Sequence, residues 1–247
     1  MNVAERRRGV VVPTIFAVIC VAILLGLGKW QLDRKVWKED LIATITARLS
    51  APPESLPPRV QWTQFDAAKD EYRRVTFAAD YLIGEQALIY TAGSAFRPDV
   101  SGAGYWVFTP AKLADGSIVV VDRGFVPLGR KNMASGGEGA PGKVDVVGVV
   151  RWPEKRGMFT PNDEPQHNIW YLRDPRVIAA AKNWGAVAPF YVDQESPQPP
   201  GGWPRAGKLS VSLPDNHLQY AITWFLTAAG ITGVYLFWLF GRWRLTP

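Results

Sequence analysis

The 247-residue chain has two histidines, His167 and His217, and one cysteine, Cys20. His217 sits where an imidazole could do chemistry. The run Pro214-Asp-Asn-His-Leu-Gln-Tyr220 leads straight into 21 uncharged residues, Tyr220 to Phe240. On a helix of about 100° per residue, Tyr220 lies roughly 60° from His217 and Trp224 only about 20°, so the three form one stripe. An imidazole beside an aromatic, apolar wall suits the iron and the macrocycle of a non-covalently bound haem. A hydrated interfacial histidine and an interfacial aromatic belt explain the same residues without a ligand. A second face is made by Trp30, Arg34 and Trp37, with Gln31 and Lys38 beside them. It could anchor the chain by snorkelling, or meet acidic groups such as haem propionates or a partner's loop.

The remaining inventory is poor in chemistry. His167 lies in the polar run Pro161-Asn-Asp-Glu-Pro-Gln-His-Asn168 and reads as a solvated loop residue. Asp122-Arg123 reads as an ion pair closing a strand end. No Gly-x-Ser-x-Gly elbow, phosphate loop or His-Glu-x-x-His occurs, so no enzyme activity is expected. A lone cysteine excludes an intramolecular disulfide, a Cys-x-x-Cys pair, a thiolate zinc cluster and covalent c-type haem. Cys20 itself reads as a small buried hydrophobe.

The elements that must position these residues begin with two apolar segments. Val10 to Gly28 is 19 residues without a charge, and Tyr220 to Phe240 matches it. At about 1.5 Å per residue each is close to the ~30 Å of a bilayer's hydrocarbon. Arg6, Arg7 and Arg8 precede the first, and Arg242 and Arg244 follow the second. The net charge of +6 divides evenly, +2 in each tail and +2 over the 191 residues between the segments. The positive-inside rule then puts both termini in the cytoplasm. A basic balance of this kind reflects topology rather than nucleic-acid binding. Length argues for an uncleaved anchor rather than a signal peptide, and the short amino-terminal tail points to a bacterial inner membrane. No charge lies inside either span, which speaks against an ion pathway. Ala22 with Gly26 and Ala229 with Gly233 have the spacing for close packing, between the spans or with another membrane protein.

Between the spans, Lys29 to Leu49 continues the first helix outward, and Ala51-Pro-Pro-Glu-Ser-Leu-Pro-Pro58 stops it in an extended linker. Short strands follow at Tyr72–Ala79, Ala87–Thr91, Tyr105–Thr109, Ser117–Asp122, Val144–Trp152 and Phe190–Val192. Gly136 to Gly142 reads as a flexible connection. Asp174-Pro175 opens a helix that ends at Gly185, and Gln194 to Pro204 reads as a loop. The expected fold is therefore an α+β membrane protein. Two transmembrane helices flank a mainly antiparallel β outer domain, a sheet or small barrel, with one or two helices. The boundaries are a cytoplasmic tail 1–9, transmembrane helix 10–28, helical extension and Pro-rich linker 29–58, periplasmic β-rich domain 59–219, transmembrane helix 220–240 and cytoplasmic tail 241–247.

Five segments, in order, resemble the Surfeit locus protein 1 family of cytochrome c oxidase assembly factors. They are Gly28-Lys-Trp-Gln-Leu-Asp-Arg34 with Trp37-Lys38, Tyr72-Arg-Arg-Val75, Gly104-Tyr-Trp-Val-Phe-Thr-Pro110, Val121-Asp-Arg-Gly-Phe-Val-Pro127, and Asn216-His-Leu-Gln-Tyr220 with Trp224-Phe225. Three departures are visible. Lys29-Trp30-Gln31 stands for the frequent Gly-Trp-Gln, Arg123-Gly124-Phe125 for Arg-Gly-Trp, and Asp215-Asn216-His217 for Asn-Asn-His. The resemblance implies a factor that binds haem a, non-covalently and transiently, at the outer membrane interface and assists its insertion into the oxidase catalytic subunit. The family histidine maps onto His217 as axial iron ligand, with Tyr220, Trp224, Trp30 and Arg34 as further cofactor-binding candidates. Implied partners are the catalytic subunit, the haem a synthesis machinery and membrane lipid, with no nucleic acid. The alternative is a scaffold that stabilises the nascent subunit without binding haem.

Overall fold

A computed structural model describes residues 3–94, 96–135, 143–211 and 215–244, so the expected flexible connection at 136–142 lies outside the described residues. In chain order the elements are α1 (Val3–Ser50), β1 (Glu54–Ser55), α2 (Ala67–Asp70), β2 (Arg74–Tyr81), β3 (Ala87–Thr91), β4 (Gly104–Leu113), β5 (Ile118–Pro127), β6 (Val144–Arg151), β7 (Ile169–Trp170), α3 (Pro175–Lys182), β8 (Val187–Ser196) and α4 (His217–Arg244). They form two compact units, 1–43 with 213–247, and 44–212.

The first unit is a helix pair. Both helices are long and apolar enough to cross a membrane. On α1 the covered positions include Thr14, Ala17, Val21, Leu24, Gly28 and Gln31; on α4 they include His217, Ala221, Trp224, Ala228, Ile231 and Tyr235. Both sets step alternately by three and four residues, the 3.5-residue spacing that keeps one stripe of a helix against its partner. The pair is antiparallel. Thr14 and Tyr235 hydroxyls meet at 2.5 Å near one end, and Gln31 meets His217 near the other. Between them a Cβ on Gly28 would lie 2.5 Å from Phe225 Cε1, so only glycine lets that ring seat. Close approach therefore comes from Ala17, Gly28, Ala221 and Ala228, each buried. The expected pairs Ala22–Gly26 and Ala229–Gly233 face outward instead, and Gly26 and Gly233 have open space where a Cβ would stand. They take no part in packing the two spans.

The second unit is built on β-branched strands. β2, β6, β8, β5 and β4 are neighbours in that order, and a further β2–β4 pairing closes them into a small barrel. β1 extends the sheet beside β2, and β3 and β7 extend it beside β4. The β2–β4, β2–β6, β3–β4, β4–β5 and β6–β8 pairs are antiparallel, whereas β1–β2, β3–β7 and β5–β8 are parallel. Val120 of β5 packs with Phe108 and Tyr191, and Val119 of β5 and Val150 of β6 pack with Phe190, all fully buried.

Three local expectations need correction. β8 runs to Ser196, so Gln194 opens no loop; Asp193, Gln194 and Glu195 stay in the strand because Arg151, Tyr81 and Arg74 respectively bind their side chains. The Asp174 carboxylate does cap the amides of Arg176 and Val177 in α3, but the helix closes on Asn183 in the left-handed conformation, two residues before Gly185. Asp122 and Arg123 sit within β5 and not at its end, and they do not pair with each other. Alternation along the strand sends Arg123 over the Tyr81 ring and Asp122 towards Arg173.

Candidate functional site

α4 begins at His217, whose backbone N–H donates to Asp215 Oδ1 at 2.9 Å and so fixes the first turn. The imidazole Nδ1 lies 2.7 Å from Gln31 Oε1 on α1, a contact between residues 186 apart in sequence. Nε2 makes no hydrogen bond among the described residues, and the side chain is only half-buried.

The other four candidates fall into two places. Trp224 turns into the seam between the helices, where its indole N–H is buried and unpartnered among the described residues. Tyr220 and Trp30 are exposed, at 55% and 56%. Arg34 is exposed too, with its guanidinium carbon 3.8 Å from the Trp37 ring centroid. From Gln31 to Arg34, and from His217 to Tyr220, the step is about 60° backwards round each helix. On two antiparallel right-handed helices, equal steps turn to the same flank of the seam. Trp30, about 100° back from Gln31, turns the same way. One flank beside the Gln31–His217 pair thus carries two exposed rings and a cation.

These residues fit a haem. One imidazole nitrogen has no hydrogen-bond partner among the described residues, exposed aromatic rings lie on one flank of the seam, and a guanidinium stands on the same flank for carboxylate substituents. An iron here would take His217 as its ligand from this chain; among the described residues no three His, Cys, Asp or Glu side chains converge. His167, by contrast, is exposed at the end of a one-turn helix, and among the described residues its ring pairs with Glu164, Nδ1 to Oε2 at 3.1 Å.

The barrel holds a second polar cluster that sequence reading missed. Asp122 and Asp193 are register partners on adjacent parallel strands, and both are buried. Arg151 Nη1 donates to Asp193 Oδ2 at 3.1 Å, and Arg173 Nη1 stands 4.0 Å from Asp122 Oδ2. Asp122 Oδ1 accepts from the Gly124 amide at 3.0 Å. Burial, reinforced by the Asp193 carboxylate, holds the Asp122 carboxyl well above the ordinary range despite Arg173. The void beside them is about 10 Å³, room for one water molecule and no substrate. This cluster ties strands together.

A family model described as "SURF1 family" matches residues 18–229, which takes in Gln31, the whole barrel and His217. The chain belongs to the SURF1 family. It is 35% identical over 226 residues to a SURF1-like protein of Monosiga brevicollis, covering 87% of this chain and 83% of that one. To Surfeit locus protein 1 of Rattus norvegicus it is 33% identical over 221 residues, covering 85% and 70%. The human Surfeit locus protein 1 gives 33% over 221 residues, covering 83% and 70%. SURF1 proteins are known as cytochrome c oxidase assembly factors. In this member of the family, the segments that carried the resemblance place Trp30, Gln31 and Arg34 on α1 and His217 on α4, around one seam.

Proposed function

We propose that this SURF1-family chain is a non-enzymatic assembly factor for cytochrome c oxidase that binds haem a through His217 at the outer membrane interface. One observation carries the reading: the imidazole is held at Nδ1 by Gln31 while Nε2 has no hydrogen-bond partner among the described residues. A haem supplies an iron that accepts such a nitrogen and a macrocycle that stacks on aromatic rings. His217 donates the nitrogen, Trp30 and Tyr220 offer apolar ring surface, and Arg34 offers a cation to the acidic edge. A single protein ligand keeps affinity modest, as hand-over to the oxidase catalytic subunit requires. The cofactor arrives from the haem a synthesis machinery, and the helix pair is embedded in lipid.

The arginines beyond both spans support a bacterial inner-membrane protein with cytoplasmic termini and a periplasmic barrel. Thiol labelling of single cysteines at Ala4 and at Met158 from the two sides of sealed vesicles tests that orientation.

The test of function is an optical spectrum of the full chain, purified in detergent from cells making haem a, beside His217→Ala. A haem a spectrum in the wild type and its loss in a folded variant are expected. Haem retained unchanged by His217→Ala would refute the ligand assignment. A colourless wild type that still co-purifies with the oxidase catalytic subunit would favour a haem-free scaffold. The outward-facing Ala22, Gly26, Ala229 and Gly233 would then be its contact surface.

A further inference from the structure

A neutral imidazole has one N–H, and the partner of one ring nitrogen decides which nitrogen keeps a free lone pair. Here that partner is Gln31, which lies on the α1 stripe otherwise made of small and apolar residues from Thr14 to Gly28. A glutamine half-buried at a helix seam is unfavourable unless its amide is bonded. Its oxygen stands 2.7 Å from His217 Nδ1. The pairing is set from both sides. Gly28, one turn before Gln31, lets Phe225 of α4 close onto α1, and the Thr14–Tyr235 contact fixes the register at the far end. The Asp215 carboxylate anchors the turn that carries the imidazole.

We infer that Gln31 is the positioning residue of the site: its amide oxygen accepts the Nδ1 proton of His217 and thereby presents Nε2 as the only nitrogen able to bind iron. The inference deepens the haem reading and rests on it. Were the amide turned the other way, its NH2 would donate to Nδ1, the proton would sit on Nε2, and the exposed nitrogen could not coordinate. A second-sphere acceptor of this kind fixes ring orientation as well as tautomer, and losing one lowers metal affinity by about 10–100-fold.

The experiment uses the full chain in detergent without haem, ¹⁵N-labelled at histidine, with His167→Gln removing the other histidine signal. Long-range ¹H–¹⁵N correlations then report which nitrogen of His217 carries the proton. The wild type should show the Nδ1–H form. Gln31→Leu, close in shape but with no acceptor, should lose that preference, and Gln31→Glu, which keeps an acceptor, should restore it. Titration with haem a should follow the same order, with about 10–100-fold weaker binding in Gln31→Leu and recovery in Gln31→Glu. A wild-type His217 protonated mainly at Nε2 would overturn the inference, as would a Gln31→Leu variant with unchanged tautomer. If the wild type takes up no haem a, the ligand reading falls by itself, and the tautomer data still decide whether Gln31 sets the proton.

Discussion

Arg151 offers the sharpest test of how the barrel is held together. Its guanidinium donates to Asp193 Oδ2 at 3.1 Å, reaches Glu71 Oε1 at 3.4 Å, and stacks 4.8 Å from the Tyr72 ring and 5.1 Å from that of Phe96. Arg151→Met keeps much of the stem's volume and removes the charge. Asp193 is then stranded in the interior with Asp122 alongside and Arg173 as the remaining cation. Removing one partner of a buried pair costs about 3–5 kcal/mol, because the other charge stays buried and uncompensated. At roughly 2–4 °C per kcal/mol for a domain of this size, the melting temperature should fall by about 6–20 °C. The assay is denaturant unfolding of the full chain in detergent, followed by the fluorescence of buried Trp62, Trp106, Trp170 and Trp184. Asp193→Asn in the same chain should recover most of the loss, since no charge is then stranded. A loss under about 1 kcal/mol, or no recovery in the double variant, would refute the claim that this pair is a buried structural tie.

The raised Asp122 carboxyl gives a signed pH effect. The folded state holds that proton more tightly than the unfolded chain, so the stabilisation is complete below the ordinary carboxylate range and is lost as pH rises through the folded value. Asp122→Asn should flatten this part of the stability–pH curve and be more stable than wild type at high pH; an unchanged slope in a denaturation series would count against it. Gly28→Ala forces a methyl against Phe225 and should cost about 1–3 kcal/mol of helix pairing. Cysteine cross-linking at Thr14 and Tyr235 reads that loss, and Phe225→Ala should relieve it. Trp224→Phe removes a buried N–H without a partner among the described residues, so stability should hold or rise. A loss above about 1 kcal/mol would mean that the N–H is bonded. Met158 and Phe159 are 92% and 93% exposed, and serine at both should change barrel stability by under about 0.5 kcal/mol each in equilibrium unfolding.

Much of this architecture was legible because its signals are local. The charge-free runs mark both helices, β-branched clusters mark β5 and β6, and Asp174-Pro175 marks the start of α3. What escaped depends on partners distant in sequence. Asp193, Gln194 and Glu195 look like a loop until Arg151, Tyr81 and Arg74 are brought beside them. Asp122 and Arg123 look like a surface pair until the strand alternates them to opposite sides. At the site, spacing along each helix grouped Trp30 with Arg34 and Trp37, and His217 with Tyr220 and Trp224, although Tyr220 is exposed and Trp224 covered. It could not show that Trp224 turns into the seam, or that Gln31 meets His217. A seven-residue comparison of the two apolar stripes would have put Gln31 on the covered face, since Thr14, Val21, Gly28 and the 3.5-residue steps between them lead to it.

Closure of the barrel also limits how another protein can recognise it. With β2 paired to β4, none of the five ring strands has a bare side, and the sheet's outermost strands, β1 and β7, are two residues long each. Docking by strand addition needs a longer row of free amides and carbonyls than either provides. Recognition of the barrel's described residues therefore rests on side chains. Point substitutions alone should be able to dissect it, and the same closure should guard the chain against edge-to-edge self-association.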